Sequence, residues 1–137
     1  MKLLSLAALA IGLLSSGCAT TTHVFVKSTQ KTNGGNTLYM MVRNVEGKTS
    51  VNEQYQEMAA KLFAEPADRS VIVAQPIFPG NTVDVTISEA DVTQVVLYFF
   101  FSQPLSNWRV PLPKPLPAEV YIDLGENEID RVQIRKR

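Results

Sequence analysis

Few side chains in this 137-residue chain are suited to covalent or metal chemistry. There is one cysteine, Cys18, and one histidine, His23. A nucleophile needs a neighbouring base, and a metal needs several His, Cys, Asp or Glu ligands. The sequence sets no such group beside either residue. His23 reads as the end of a strand, with a ligand or base as the alternative. Gly34-Gly35 lacks the lysine and the strand-loop-helix setting of a phosphate loop. The carboxylates are scattered through strands and turns. No catalytic residue, metal or cofactor is therefore assigned, and the chain reads as a non-enzyme. Distant residues can still converge, so a hydrolase assembled around His23 stays in competition. Trp108, the single tryptophan, fits a core. Trp108-Arg109 facing a partner is the alternative, since both types are enriched at binding hot spots.

The setting of Cys18 carries chemistry of another kind. Lys2 is the one charge in the first 22 residues, and Leu3 to Leu14 is almost wholly apolar. This is the layout of a secretory signal, and it is too short to span a bilayer, which takes roughly 20 apolar residues. Ser15-Ser16-Gly17-Cys18 resembles the lipobox of bacterial lipoproteins. There, small residues admit a peptidase and the thiol carries a lipid. Residues 1–17 are then a removed signal, 18–22 the lipidated cysteine and a short tether, and 23–137 the folded domain. Position 19 is Ala. In many Gram-negative bacteria Asp there retains a lipoprotein at the inner membrane, so Ala19 resembles an outer-membrane address. The lipid on Cys18 would be the sole covalent group. The tether Ala19 to Thr22 spans at most about 14 Å, which holds the domain close to its membrane.

Loss of Lys2 leaves 12 basic side chains against 13 acidic ones. That balance argues against nucleic acid as a partner. The 120 residues from Cys18 onward suffice for one domain with a real core. With one cysteine, no disulfide forms within the chain. The basic end Arg135-Lys136-Arg137 reads as a solvated strand end.

The elements follow from periodicity. Val24 and Val26 alternate with His23, Phe25 and Lys27 in a first strand. Thr29 to Asn36 is a polar loop around Asn33-Gly34-Gly35-Asn36. Leu38 to Val45 is the second strand. Ser50 and Glu53 fit a capping box for a helix carrying Val51, Tyr55, Met58, Ala59, Leu62 and Phe63 on one stripe. Strands return at Ser70 to Ala74 and, after the turn Pro79-Gly80-Asn81, at Val83, Val85 and Ile87. Val95 to Phe101 is apolar on both faces and belongs at the centre of a sheet. A short strand follows at Trp108 to Val110. Pro111, Pro113, Pro115 and Pro117 form an extended connector. Val120 to Leu124 and Ile129 to Ile134 close the fold. Seven or eight short strands with one inserted amphipathic helix predict an all-β, two-sheet sandwich.

In order and spacing these features resemble the outer-membrane lipoprotein of the type VI secretion system, the TssJ family. The features are the Cys18 lipobox, Val24-Phe25-Val26, the polar loop before Leu38 and the stretch Tyr55 to Phe63. Pro79-Gly80, Tyr98-Phe99-Phe100-Phe101 and Trp108-Arg109 complete the match. The resemblance implies a transthyretin-like sandwich anchored in the outer membrane and facing the periplasm. It implies binding to the periplasmic domain of a TssM-like inner-membrane protein, through the loop between the first two strands. Here that loop supplies Gln30, Lys31, Thr32, Asn33, Gly34, Gly35 and Asn36. Its sequence departs from the Asn-Pro-Asp-like start and Gly-Arg-Pro-like end common in the family. A lipoprotein binding a small ligand or glycan in a pocket lined by Phe99 to Phe101 is the alternative function.

Overall fold

The computed structural model describes residues 20–46, 52–88 and 93–137. The signal segment, Cys18, Ser50 and Val51 lie outside the described residues. Eight strands run in chain order as β1 (Thr21–Lys27), β2 (Leu38–Asn44), β3 (Val71–Ile77), β4 (Thr82–Ser88), β5 (Val95–Phe100), β6 (Arg109–Pro111), β7 (Glu119–Leu124) and β8 (Ile129–Arg135). One helix, α1 (Tyr55–Lys61), separates β2 from β3. The strands form two four-stranded sheets, β4-β1-β7-β8 and β3-β2-β5-β6. All pairings are antiparallel except β1 with β7. The all-β sandwich with one inserted helix is therefore the observed architecture.

Alternation decides which side chains fill the space between the sheets. Val24 and Val26 of β1, Val83, Val85 and Ile87 of β4, and Val120, Ile122 and Leu124 of β7 face inward from the first sheet. Leu38, Met40 and Val42 of β2, with Leu97 and Phe99 of β5, meet them from the second. Burying each such side chain contributes about 1.5–3 kcal/mol, so this layer dominates the stability. β5 lies between β2 and β6, as its two apolar faces require. Its other face, Val96 and Tyr98, packs with Met41, Val45 and Met58 under α1.

Four sequence expectations are corrected. Thr21 and Thr22 are not tether but the start of β1, paired with Ser88 and Ile87. Thr22 is buried, and its hydroxyl donates to the Pro117 carbonyl at 2.7 Å. Helix α1 starts at Tyr55 with Gln54 as N-cap and no side-chain cap, so Glu53 completes no capping box. Its carboxylate is taken by Arg43 and Tyr98 instead. Phe63 lies beyond the helix, is 69% exposed, and meets the Tyr39 ring edge-on. β3 runs on through Pro76 to Ile77. Proline is tolerated there because β3 is an edge strand and one side of its backbone has no ladder to feed.

Candidate functional site

β1 fixes a polarity for the domain. Its first residue, Thr21, is three positions from Cys18, and its last, Lys27, lies about 20 Å away along the strand. The loop 28–37 thus stands at the end of the sandwich opposite the start of β1. Register brings other connections to the same end. Lys27 pairs with Thr82 and Asp123, Leu38 with Ile77, and Tyr39 with Phe100. The connections 78–81, 101–108 and 125–128 therefore gather beside the loop.

Asn33 binds these segments together. Its backbone N–H donates to the Glu126 carbonyl at 2.8 Å. Its side-chain oxygen accepts from the Ser102 N–H at 2.8 Å. Its amide nitrogen donates to the carbonyls of Asn36 and Thr37, both at 3.2 Å. Thr32 adds a 3.3 Å bond to the Leu124 carbonyl. Asn33, Gly34 and Gly35 all have positive φ, at 52°, 61° and 83°. Asparagine and glycine are the residues that enter this left-handed region at low cost, which explains the composition of the tip. Ser28 performs the same service for the next turn. Its hydroxyl donates to the Asn81 carbonyl at 2.9 Å and accepts from the Gly80 N–H at 3.1 Å.

The loop residues thus divide into two sets. Thr32 and Asn33 are buried and hold the loop's shape. Gln30, Lys31, Gly34, Gly35 and Asn36 are exposed. A shallow polar cleft of about 190 Å³ opens between Asn33, Asn36, Ser102, Gln103, Glu126 and Asn127. Two exposed apolar side chains flank this end, Phe78 at 54% and Leu105 at 57%. Sequence reasoning missed both because each sits in a connection, where no periodicity marks a side chain as outward. The arrangement offers a rigid rim of polar backbone and amide groups beside two apolar knobs. It has the ingredients of a protein-docking surface, in which apolar anchors sit within a polar rim.

Trp108 and Arg109 lie on the outer face of the second sheet. Trp108 is half-buried, 5.0 Å edge-on from Tyr55, with the Arg109 guanidinium 5.3 Å over its ring. Arg109 also donates to the Glu53 carbonyl at 3.3 Å. These contacts belong to a polar layer that the sequence reading missed. Arg43 is buried and holds Glu53 at 2.5 Å, the Tyr98 hydroxyl at 3.1 Å and Ser70 at 2.8 Å. Burial works against the Arg43 charge, but Glu53 and Tyr98 outweigh it and raise its pKa. Burial, then the bond to Glu53, raises Tyr98. Burial pushes the Tyr55 hydroxyl up to about 12. Asp68 continues the chain by accepting from Ser70 and from Lys61 at 2.7 Å. The Lys61 bond, then the Ser70 bonds, hold its carboxyl well below the usual range.

His23 is exposed on β1, stacked on Phe25, with Nδ1 3.4 Å from the Thr86 hydroxyl. Among the described residues no three His, Cys, Asp or Glu side chains gather as a metal site. Phe99 and Phe101 are packed into the core, so the aromatic run does not open the pocket that a ligand-binding reading required.

Comparison with known proteins gives a concordant result. Residues 39–124 match the family model described as IglE, N-terminal domain. No curated protein matches by sequence. Among solved structures, the lipoprotein TssJ1 of the type VI secretion system from Pseudomonas aeruginosa superposes with TM-score 0.61 at 13% identity. That match covers 87% of this chain and 98% of the other. Serratia marcescens Lip, described as a membrane bound component of the type VI secretion system, gives 0.57 at 14% identity over 87% and 99%. A structure described as T6SS protein TssM C-terminal domain from EAEC gives 0.65 at 16% identity over 82% and 97%. With more than half of its length matched, the chain belongs to the IglE N-terminal domain family, and its sandwich has the fold of the TssJ lipoproteins it resembles in sequence order.

Proposed function

We propose that this chain is a non-enzymatic lipoprotein of a type VI secretion membrane complex. It is acylated on Cys18, held at the periplasmic face of the outer membrane, and bound at its far end to the periplasmic domain of a TssM-like protein. Family membership and the shared fold support the setting. The observation that carries the reading is the polarity of β1. It sets the start of β1, three residues after Cys18 in sequence, at one end of the sandwich and a braced rim with exposed Phe78 and Leu105 at the other. An adaptor between a membrane and a partner needs that separation.

The anchor is tested by labelling cells with palmitate. The wild-type chain should take up label and fractionate with the outer membrane. Cys18→Ser should lose the label, leave the membrane fraction and stop secretion. Label retained by the variant, or normal secretion from unanchored protein, would remove the anchor from the account.

A further inference from the structure

The anchor end of the sandwich carries a feature that the docking role leaves unused. The proline connector and the chain's last residues enclose an open cleft of about 270 Å³. Pro113, Lys114, Pro115 and Pro117 form one side, and Lys136 and Arg137 the other. All three basic side chains are exposed, and among the described residues no Asp or Glu side chain lines the cleft. The cleft is stitched to the start of β1. Arg137 donates to the Thr21 carbonyl, Thr22 to the Pro117 carbonyl, and the His23 N–H to the Ala118 carbonyl. Glu119, the acid on adjacent β7, is occupied by Arg135 at 3.5 Å and the Tyr121 hydroxyl at 2.7 Å.

The geometry points to this cleft as a membrane-docking surface for anionic phospholipid headgroups. Thr21 is three residues from Cys18, so the Thr21 carbonyl that Arg137 touches lies within roughly 10 Å of the lipidated residue along an extended chain. That is about one screening length at physiological salt. Lys and Arg supply phosphate contacts there, and proline keeps the connector extended without a pendant N–H. The anchor then fixes orientation as well as distance. The tether holds the protein at the surface, and the basic cleft turns the far rim away from it. The inference rests on the Cys18 anchor for its setting, and its test is separable from that reading.

Among the described residues, both sheets and their core side chains lie within residues 21–135, so residues 18–137 contain them. Unacylated residues 18–137 are coupled through Cys18, their only thiol, to maleimide-bearing phosphatidylethanolamine in vesicles. One set of vesicles is otherwise phosphatidylcholine, and the other contains about one-third phosphatidylglycerol. Acetylation rates at individual lysines are then read by mass spectrometry. A basic side chain near an anionic surface gains about fivefold in local binding. Lys114 and Lys136 should therefore react at least about fivefold more slowly on the anionic vesicles, while Lys31 at the far end is unchanged. High salt should erase the difference. The double substitution Lys136→Gln and Arg137→Gln should restore the Lys114 rate. Equal rates on both vesicles, or equal slowing at Lys31, would overturn the proposal. Chemical coupling makes the result independent of acylation in cells, which palmitate labelling decides by itself.

Discussion

Two regions attach non-strand chain to the sandwich, and they do so by opposite means. At the far end, loop 28–37 is held by neutral bonds, mostly from Asn33, Thr32 and Ser28 to backbone groups. On the outer face of the second sheet, α1 and its flanks are held by charge. Arg43, Glu53, Lys61 and Asp68 form ion pairs around Tyr98, Met58 and Ser70. The neutral brace spends its buried groups on shape and leaves the exposed side chains of Gln30 and Lys31 outside that task. The charged brace buries an ion pair, which gives geometry but makes each member indispensable. A loop built the first way can change its exposed residues to suit a partner without loosening. That is the pattern expected of a recognition surface.

The strongest way to break the contrast is Glu53→Ala. It leaves the Arg43 guanidinium buried without its carboxylate, at a cost of about 3–5 kcal/mol. Denaturant unfolding should register it as a lower midpoint. A loss under about 1 kcal/mol would mean the pair is solvated and the outer face is not built on charge.

Asn33→Ala comes next. It removes two donated bonds and one accepted bond from a buried site and asks alanine to hold a φ of 52°. Buried partners left unmatched cost about 1–3 kcal/mol, so a total of about 2–4 kcal/mol is expected in the same measurement. A neutral outcome would detach the loop's shape from Asn33.

Acid sharpens the contrast further. Asp68 has a depressed folded-state pKa, set first by Lys61 and then by Ser70. A depressed carboxyl stabilises the fold above its unfolded pKa and loses that contribution as pH falls through the folded value. Stability should therefore decline from about pH 4 downward. Asp68→Asn should flatten that limb in thermal melts, whereas Asn33→Ala should shift the whole curve without changing its slope. An unchanged slope in Asp68→Asn would remove this carboxyl from the acid response.

What the sequence disclosed and what it hid follow the same division. Strict alternation at Val83, Val85 and Ile87, and at Val120, Ile122 and Leu124, made those strands and their inward faces legible. The double apolar character of Val95 to Phe101 made a central strand legible before its neighbours were known. Long-range pairings stayed hidden. Glu53 has the spacing of a capping residue, but an arginine ten positions earlier takes it. Thr21 and Thr22 look like tether until β4 and Pro117 pair with them. Within the polar loop, composition cannot separate buried Thr32 and Asn33 from exposed Lys31 and Asn36, because their partners come from distant connections. Phe78 and Leu105 carry no periodic mark at all. The placement of the loop at the end away from the start of β1 needed only one strand and was readable once β1 was known.

The central claim is that the far rim binds the TssM-like partner, and calorimetry tests it most directly. Residues 19–137 are titrated against the periplasmic domain of the TssM-like protein from the same genome. The comparison is a variant carrying Gln30→Ser, Lys31→Ser, Phe78→Ser and Leu105→Ser. Thr32 and Asn33 are kept because they hold the loop. Exposed substitutions of this kind change stability by only about 0.5 kcal/mol each, so the variant should remain folded. The wild-type chain should bind at one to one with a Kd on the order of micromolar or tighter, and the variant at least tenfold more weakly. Undiminished affinity in the folded variant, or no binding by the wild type with both proteins folded, would contradict the account.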